Sequence, residues 1–231
     1  MQPITTIMIM TTTITEVPGL QEPSHEQPQR DPVPDPLKRF IWDIQSMVEL
    51  ADSEREILMI GRDLMRRLVA SNGWLPQAFA RPDPQHCQQY QLYHDDLERF
   101  AVVSTIFSGG QSSPIIQDQV WEITGILHGA LERTGFAVSP EGKPEPKGAP
   151  GIMQSGMVDV RTSKGTDAFL LRNALDTESA ISIHVYGGEI SQIARRIFAA
   201  GGEIIEAPAV YANAPDAPPY DILSIQTRIV D

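Results

Sequence analysis

The chain has 231 residues, 41% of them apolar and 21% charged, a balance that predicts one soluble globular domain with some tail. A formal net charge of −12 argues against nucleic acid or an anionic membrane as the main partner, because both demand a basic surface. A single cysteine, Cys87, excludes an intramolecular disulfide and any multi-thiolate metal site, and points to a cytoplasmic protein.

Residues 1–35 are rich in Thr, Pro, Gln and Glu and end in RDPVPDP, the composition of a disordered or extended leader. Its apolar patch has no basic segment before it and is interrupted by threonines. It therefore reads neither as a signal peptide nor as a membrane span, and Met8 and Met10 offer internal starts. Residues 36–231 are expected to form the domain, with helices over about 36–72 and a β-barrel over about 90–230. Phe40, Ile41, Ile44, Met47 and Val48 recur at helical spacing, as do Ile57, Ile60, Leu64 and Leu68 behind a cap at Asp52 or Ser53. Asn72-Gly73 supplies the stop, and the two helices are expected against the outside of the sheet that follows.

Strand signals begin near Tyr90. Arg99–Phe107 reads as a strand, SGGQSSP as a turn, and Ile115–Leu127 as two strands with bends at Gly125 and Gly129. Ser139–Gly156 reads as an exposed Pro/Gly/Lys connection. Ala168–Leu171, Ala180–Tyr186, Ile204–Val210 and Ile222–Ile229 complete a set of short strands. Helices followed by many short strands predict a mainly β barrel or sandwich with helical additions. The most informative stretch is AISIHVYGGEISQIARRIF, Ala180–Phe198. Strand alternation puts Ala180, Ser182, His184 and Tyr186 on one face and Ile181, Ile183 and Val185 on the other. Gly187-Gly188 then breaks the strand, and Arg195 and Arg196 follow on a short helix or irregular return.

The segments PIIQDQVWEITGILHG (Pro114–Gly129) and RNALDTESAISIHVYGG (Arg172–Gly188) resemble the thiol dioxygenases of the cupin superfamily, of the cysteine or 3-mercaptopropionate type. The resemblance covers about Tyr90 to Asn213. It implies a double-stranded β-helix with an N-terminal helical layer and, in that family, Fe(II) held by three histidines. Here Gln117 and Gln119 stand at the positions of the family's H-x-H, and Phe169 at that of its third histidine. The segment also runs one residue short after Gln119. A carboxamide oxygen is a weak Fe(II) ligand and phenylalanine has no lone pair, so no metal or other cofactor is expected. Repair by Glu122, His128 or His184 would need a new geometry. Ser182, His184 and Tyr186 match the family's hydrogen-bonded relay, and Arg195 matches its carboxylate-binding arginine. Gln89 falls where cysteine-using relatives often carry a further arginine.

Each of these residues has a plainer reading. The Ser182–His184–Tyr186 set can be a satisfied core network, Arg195 and Arg196 surface charges, and the glutamines drift after metal loss. The alternative gives Gln117 and Gln119 a substrate carbonyl or amine to bind, with Trp121 and Phe169 lining the barrel. Asp118 and Glu122 are candidate acids or bases, although strand parity sets Asp118 opposite the glutamines, and His25, His86 and His94 receive no role. The function expected is metal-independent proton transfer on a small carboxylate, in a monomer or homodimer. Arg195 would anchor the substrate, and Tyr186 and His184 would move the proton, with Ser182 orienting the imidazole. A non-catalytic carboxylate-binding or partner-supporting cupin, and an iron dioxygenase with substituted ligands, are the alternatives.

Overall fold

A computed structural model describes residues 32–165 and 167–226, so most of the leader and the last five residues lie outside the description. Helix α1 (Asp35–Leu50) buries Leu37, Phe40, Ile41, Ile44 and Met47, the apolar stripe read from the sequence. Ser53 caps α2 (Glu54–Val69) by accepting from the Glu56 amide, and Arg66 and Arg67 complement the dipole in its last turn. Both helices rest on a sheet, and nothing in α1 or α2 faces the cavity described below.

Twelve strands follow among the described residues: β1 (Gln88–His94), β2 (Ala101–Phe107), β3 (Ile115–Gln117), β4 (Glu122–His128), β5 (Ala130–Val138) and β6 (Pro144–Pro146), then β7 (Gly151–Gln154), β8 (Val158–Arg161), β9 (Ala168–Asn173), β10 (Ala180–Tyr186), β11 (Arg195–Phe198) and β12 (Ile204–Ala207). They form two antiparallel sheets, ordered β1-β2-β10-β4-β8 and β12-β11-β3-β9-β5-β6, with β7 added on β5. The sheets curl against each other as a double-stranded β-helix with the two helices outside, the mainly β fold expected from the sequence. The alternation of β10 has a physical reason. Ile183 and Val185 join the helices in the main core, whereas Ser182, His184 and Tyr186 point between the sheets. Gly125 lies in regular register on β4 and is no bend; a Cβ there would meet Met65 Cγ at 2.6 Å, so the glycine lets α2 approach. Gly129, at φ +75°, does turn the chain between β4 and β5.

Three other expectations are corrected. The segment 139–156, read as a plain connection, contributes β6 and β7, which extend the second sheet through backbone pairing that its exposed side chains do not announce. Arg195 sits on β11 rather than on a helix, because Arg196 pairs with Gln117 of β3 on one side and Glu206 of β12 on the other. Ile222–Ile225 is a short helix, α3, closed by an Asp221–Ser224 capping box; residues 227–229 of the expected strand lie outside the described residues. The segment before α3 runs along β1, with Ala212 N donating to Gln89 O and Tyr220 N to Leu92 O at 2.8 Å each. That covering protects an otherwise open sheet edge.

Candidate functional site

Between the sheets lies a cavity of about 540 Å³. Its buried walls carry Thr105 and Phe107 from β2, Phe169 and Leu171 from β9, His184 and Tyr186 from β10, Arg195 from β11, and Asp118 just past β3. Gln85, His86, Ser112, Pro114 and Val210 are exposed and mark its mouth.

Strand parity decides which residues of the Pro114–Gly129 segment enter. Ile116 and Asp118 line the cavity; Gln117 points away and accepts from Arg196 Nη1 at 3.0 Å. Gln119 lies exposed in a bend, and Trp121 is buried in the core beneath the helices, against Gly187. The three residues expected around the substrate on that segment are thus outside the cavity, and Asp118, expected on the far face, is inside. Phe169 lies where it was expected.

A buried polar network stands behind the cavity wall. Arg161, at the end of β8, is the cross-strand partner of Glu122 on β4. Its Nε donates to Glu122 Oε2 at 2.8 Å and its Nη2 to Asp118 Oδ2 at 3.1 Å. The guanidinium also stacks on the Phe169 ring, 3.9 Å from its centroid. Glu122 Oε1 accepts from Thr124 Oγ1 at 3.1 Å and lies 2.8 Å from His184 Nδ1. An ionised carboxylate only accepts, so Nδ1 carries a proton toward Glu122, and on the other side of the ring Nε2 lies 2.8 Å from the Ser182 hydroxyl. The chain of hydrogen bonds therefore runs Ser182–His184–Glu122–Arg161–Asp118. Among the described hydrogen bonds Tyr186 is not part of this chain: its ring stacks parallel to the imidazole, with centroids 5.6 Å apart, and Ser182 and Glu122 stand at the two ring nitrogens.

The charges divide unequally. Burial raises the pKa of Glu122, but the charge of Arg161 and the hydrogen bond from His184 outweigh it and hold the carboxyl well below its usual range. Burial and the neighbouring Glu122 charge push Asp118 the other way, upward, against Arg161 and Arg195. Of the two carboxyls Asp118 is the one pushed upward, and it faces the cavity. Tyr186 is raised well above its ordinary value by burial and by the Glu122 and Asp118 charges, so the phenol stays neutral.

Arg195 is 9% exposed. Its Nη2 donates to Gln89 Oε1 at 3.1 Å, its Nη1 stands 4.0 Å from Asp118 Oδ1, and its Nε is buried without a partner. Of its five N–H donors one is hydrogen-bonded among the described residues, and the buried Nε–H has no partner there. Arg161 is the residue whose role sequence reasoning missed; Asp118 was a candidate acid or base, but the cavity was expected on the other face. Alternation within VDVR puts Asp159 and Arg161 on one face, but only the β4–β8 register brings Arg161 to Glu122.

These residues do not fit Fe(II) as they stand. Phe169 has no lone pair, both His184 nitrogens are engaged, and the two carboxylates already grip a guanidinium that a metal ion would have to displace. Among the described residues, no three His, Cys, Asp or Glu side chains group as a metal site. No helix among them is long and apolar enough to cross a membrane.

No family model matches the chain. Solved structures similar to it are cupin-superfamily proteins. A Klebsiella pneumoniae protein with a double-stranded β-helix domain aligns at 11% identity over 60% of this chain and 99% of its own, with a TM-score of 0.40. An RmlC-like cupin from Methanocaldococcus jannaschii aligns at 12% identity over 47% and 85%, at 0.35. An oxalate oxidase in complex with glycolate aligns at 16% over 47% of this chain but only 55% of that one, at 0.37. Nothing about the site rests on these likenesses.

Proposed function

We propose that the cavity binds a small carboxylate through Arg195 and moves a proton on it without a metal ion. The carrying observation is the Arg195 guanidinium, buried against the cavity with one hydrogen bond and an orphaned Nε. A planar fork of donors is suited to a carboxylate, and pairing would recover what those groups lost on burial. Asp118 Oδ1, 4.0 Å from Arg195 Nη1, is then beside the carbon that bears the carboxylate. A carboxyl with a raised pKa can take a proton from that carbon or return one. Tyr186, held neutral, donates a hydrogen bond to the oxygen on which charge develops. His184 and Ser182 serve as positioning residues: the imidazole is fixed between Ser182 and Glu122 and supports the Tyr186 ring from one face.

The test is exchange of the ligand's α-proton for deuterium, followed by NMR. Arg195→Ala should abolish binding, whereas Asp118→Asn should bind and stop exchange. Exchange that persists in Asp118→Asn would remove the catalytic assignment. A non-catalytic binder is the second reading, favoured by Phe169, whose ring is pinned under Arg161 and closes the cavity floor. It predicts binding with no exchange in the native chain.

A further inference from the structure

We infer, resting on the carboxylate reading of Arg195, that the ligand is an N-acylated amino acid, its carboxylate at the floor, its amide one rung higher and its acyl chain toward the mouth. The register between strands ranks the cavity wall by depth. Tyr186 lies opposite Ala101 at one end, Ser182 and Gln89 flank Thr105 in the middle, and Ala180 faces Phe107 at the other, the end from which β1 leads back to the exposed Gln85 and His86 of the mouth. In the middle rung, Thr105 is 4% exposed and its Oγ1 is buried with no partner. Across the strand from it, Gln89 gives its Oε1 to Arg195, and its amide nitrogen has no partner among the described residues.

A hydroxyl and an amide N–H, both unpaired and one rung from a carboxylate-binding guanidinium, match the carbonyl and N–H of an amide in the ligand. A plain aliphatic acid would leave both groups desolvated and unsatisfied. Above that rung, Phe107, Leu171 and Cys87 pack as an apolar collar, the surface an acyl chain would cover. A cavity of about 540 Å³ also has the size of sites that hold ligands larger than a three-carbon acid.

The experiment is calorimetric titration of the full chain with N-hexanoylglycine and with nonanoic acid, which has the same chain length and no amide. The native protein should prefer N-hexanoylglycine by at least about ten-fold, the scale of one or two buried hydrogen bonds. Thr105→Val should erase that preference and leave nonanoic acid unaffected; Thr105→Ala gives the same readout should the valine variant not fold. Equal affinity for the two acids, or a preference that survives loss of the hydroxyl, overturns the inference. If both acids bind equally and both lose affinity in Arg195→Ala, the carboxylate reading stands and the amide subsite falls. If neither binds, or binding ignores Arg195, both readings fall together.

Discussion

Replacing Arg161 by Met keeps an apolar stem against Phe169 but removes the cation shared by Asp118 and Glu122. Those carboxylates are 4% and 2% exposed, so neither can recover its hydration where it stands. Breaking a buried ion pair by removing one partner costs about 3–5 kcal/mol. The Arg161 side chain is 15% exposed, and that water contact places the expected loss near the lower end, about 3 kcal/mol. The loss should depend on pH with a definite sign. In the native chain the depressed Glu122 pKa contributes stability above the unfolded carboxylate range and loses it as pH falls through the folded value. Asp118 runs oppositely: its raised pKa favours the folded state in acid and costs stability as pH rises. Without the guanidinium both carboxyls are raised by burial and mutual repulsion. The deficit of Arg161→Met should therefore be largest near neutrality and shrink toward about pH 4. Urea denaturation across that range measures it. A deficit below about 1 kcal/mol, or one that is flat with pH, would refute the assignment of Arg161 as the charge holding this network together. Adding Asp118→Asn and Glu122→Gln should restore most of the loss, since no orphaned charge then remains.

Two further perturbations probe what positions the site. A Cβ at Gly187 would lie 2.3 Å from Trp121 Nε1, so Gly187→Ala should destabilise by about 1–3 kcal/mol through overpacking, seen as a lowered Tm. An unchanged Tm would mean that the Trp121 ring is not held against the end of β10. Ser53→Ala removes the side-chain acceptor for the Glu56 amide and should cost about 1 kcal/mol in urea denaturation, with ligand binding unaltered because α2 is remote from the cavity.

The alternation of Ala180–Tyr186 was legible because one face is uniformly aliphatic and packs under two helices; the stripe of α1 was read as it is buried, whereas α2 buries Leu58, Leu64, Met65 and Leu68 and leaves Ile60 of its expected stripe exposed. Phe169 and Arg195 were legible through resemblance, although Arg195 was assigned to the wrong kind of element. The Pro114–Gly129 segment misled for a specific reason. Adjacent residues of a strand face opposite ways, so with Ile116 and Asp118 turned into the cavity Gln117 points outward to Arg196. Arg161 was illegible because its meaning lies in a pairing across 39 residues, where Glu122 waits on a neighbouring strand. The same Glu122 stands at one nitrogen of His184 and Ser182 at the other, a pairing across strands that alternation within β10 does not announce.

The central claim, a carboxylate site served by Arg195 without a metal ion, is tested most directly by ligand titration of chelator-treated protein. The native chain should bind a carboxylate at one site per chain, with affinity unchanged by added Fe(II), and Arg195→Ala should lose it while keeping the native circular dichroism. Binding that appears only after Fe(II) is added, or that is equal in Arg195→Ala, would contradict the account.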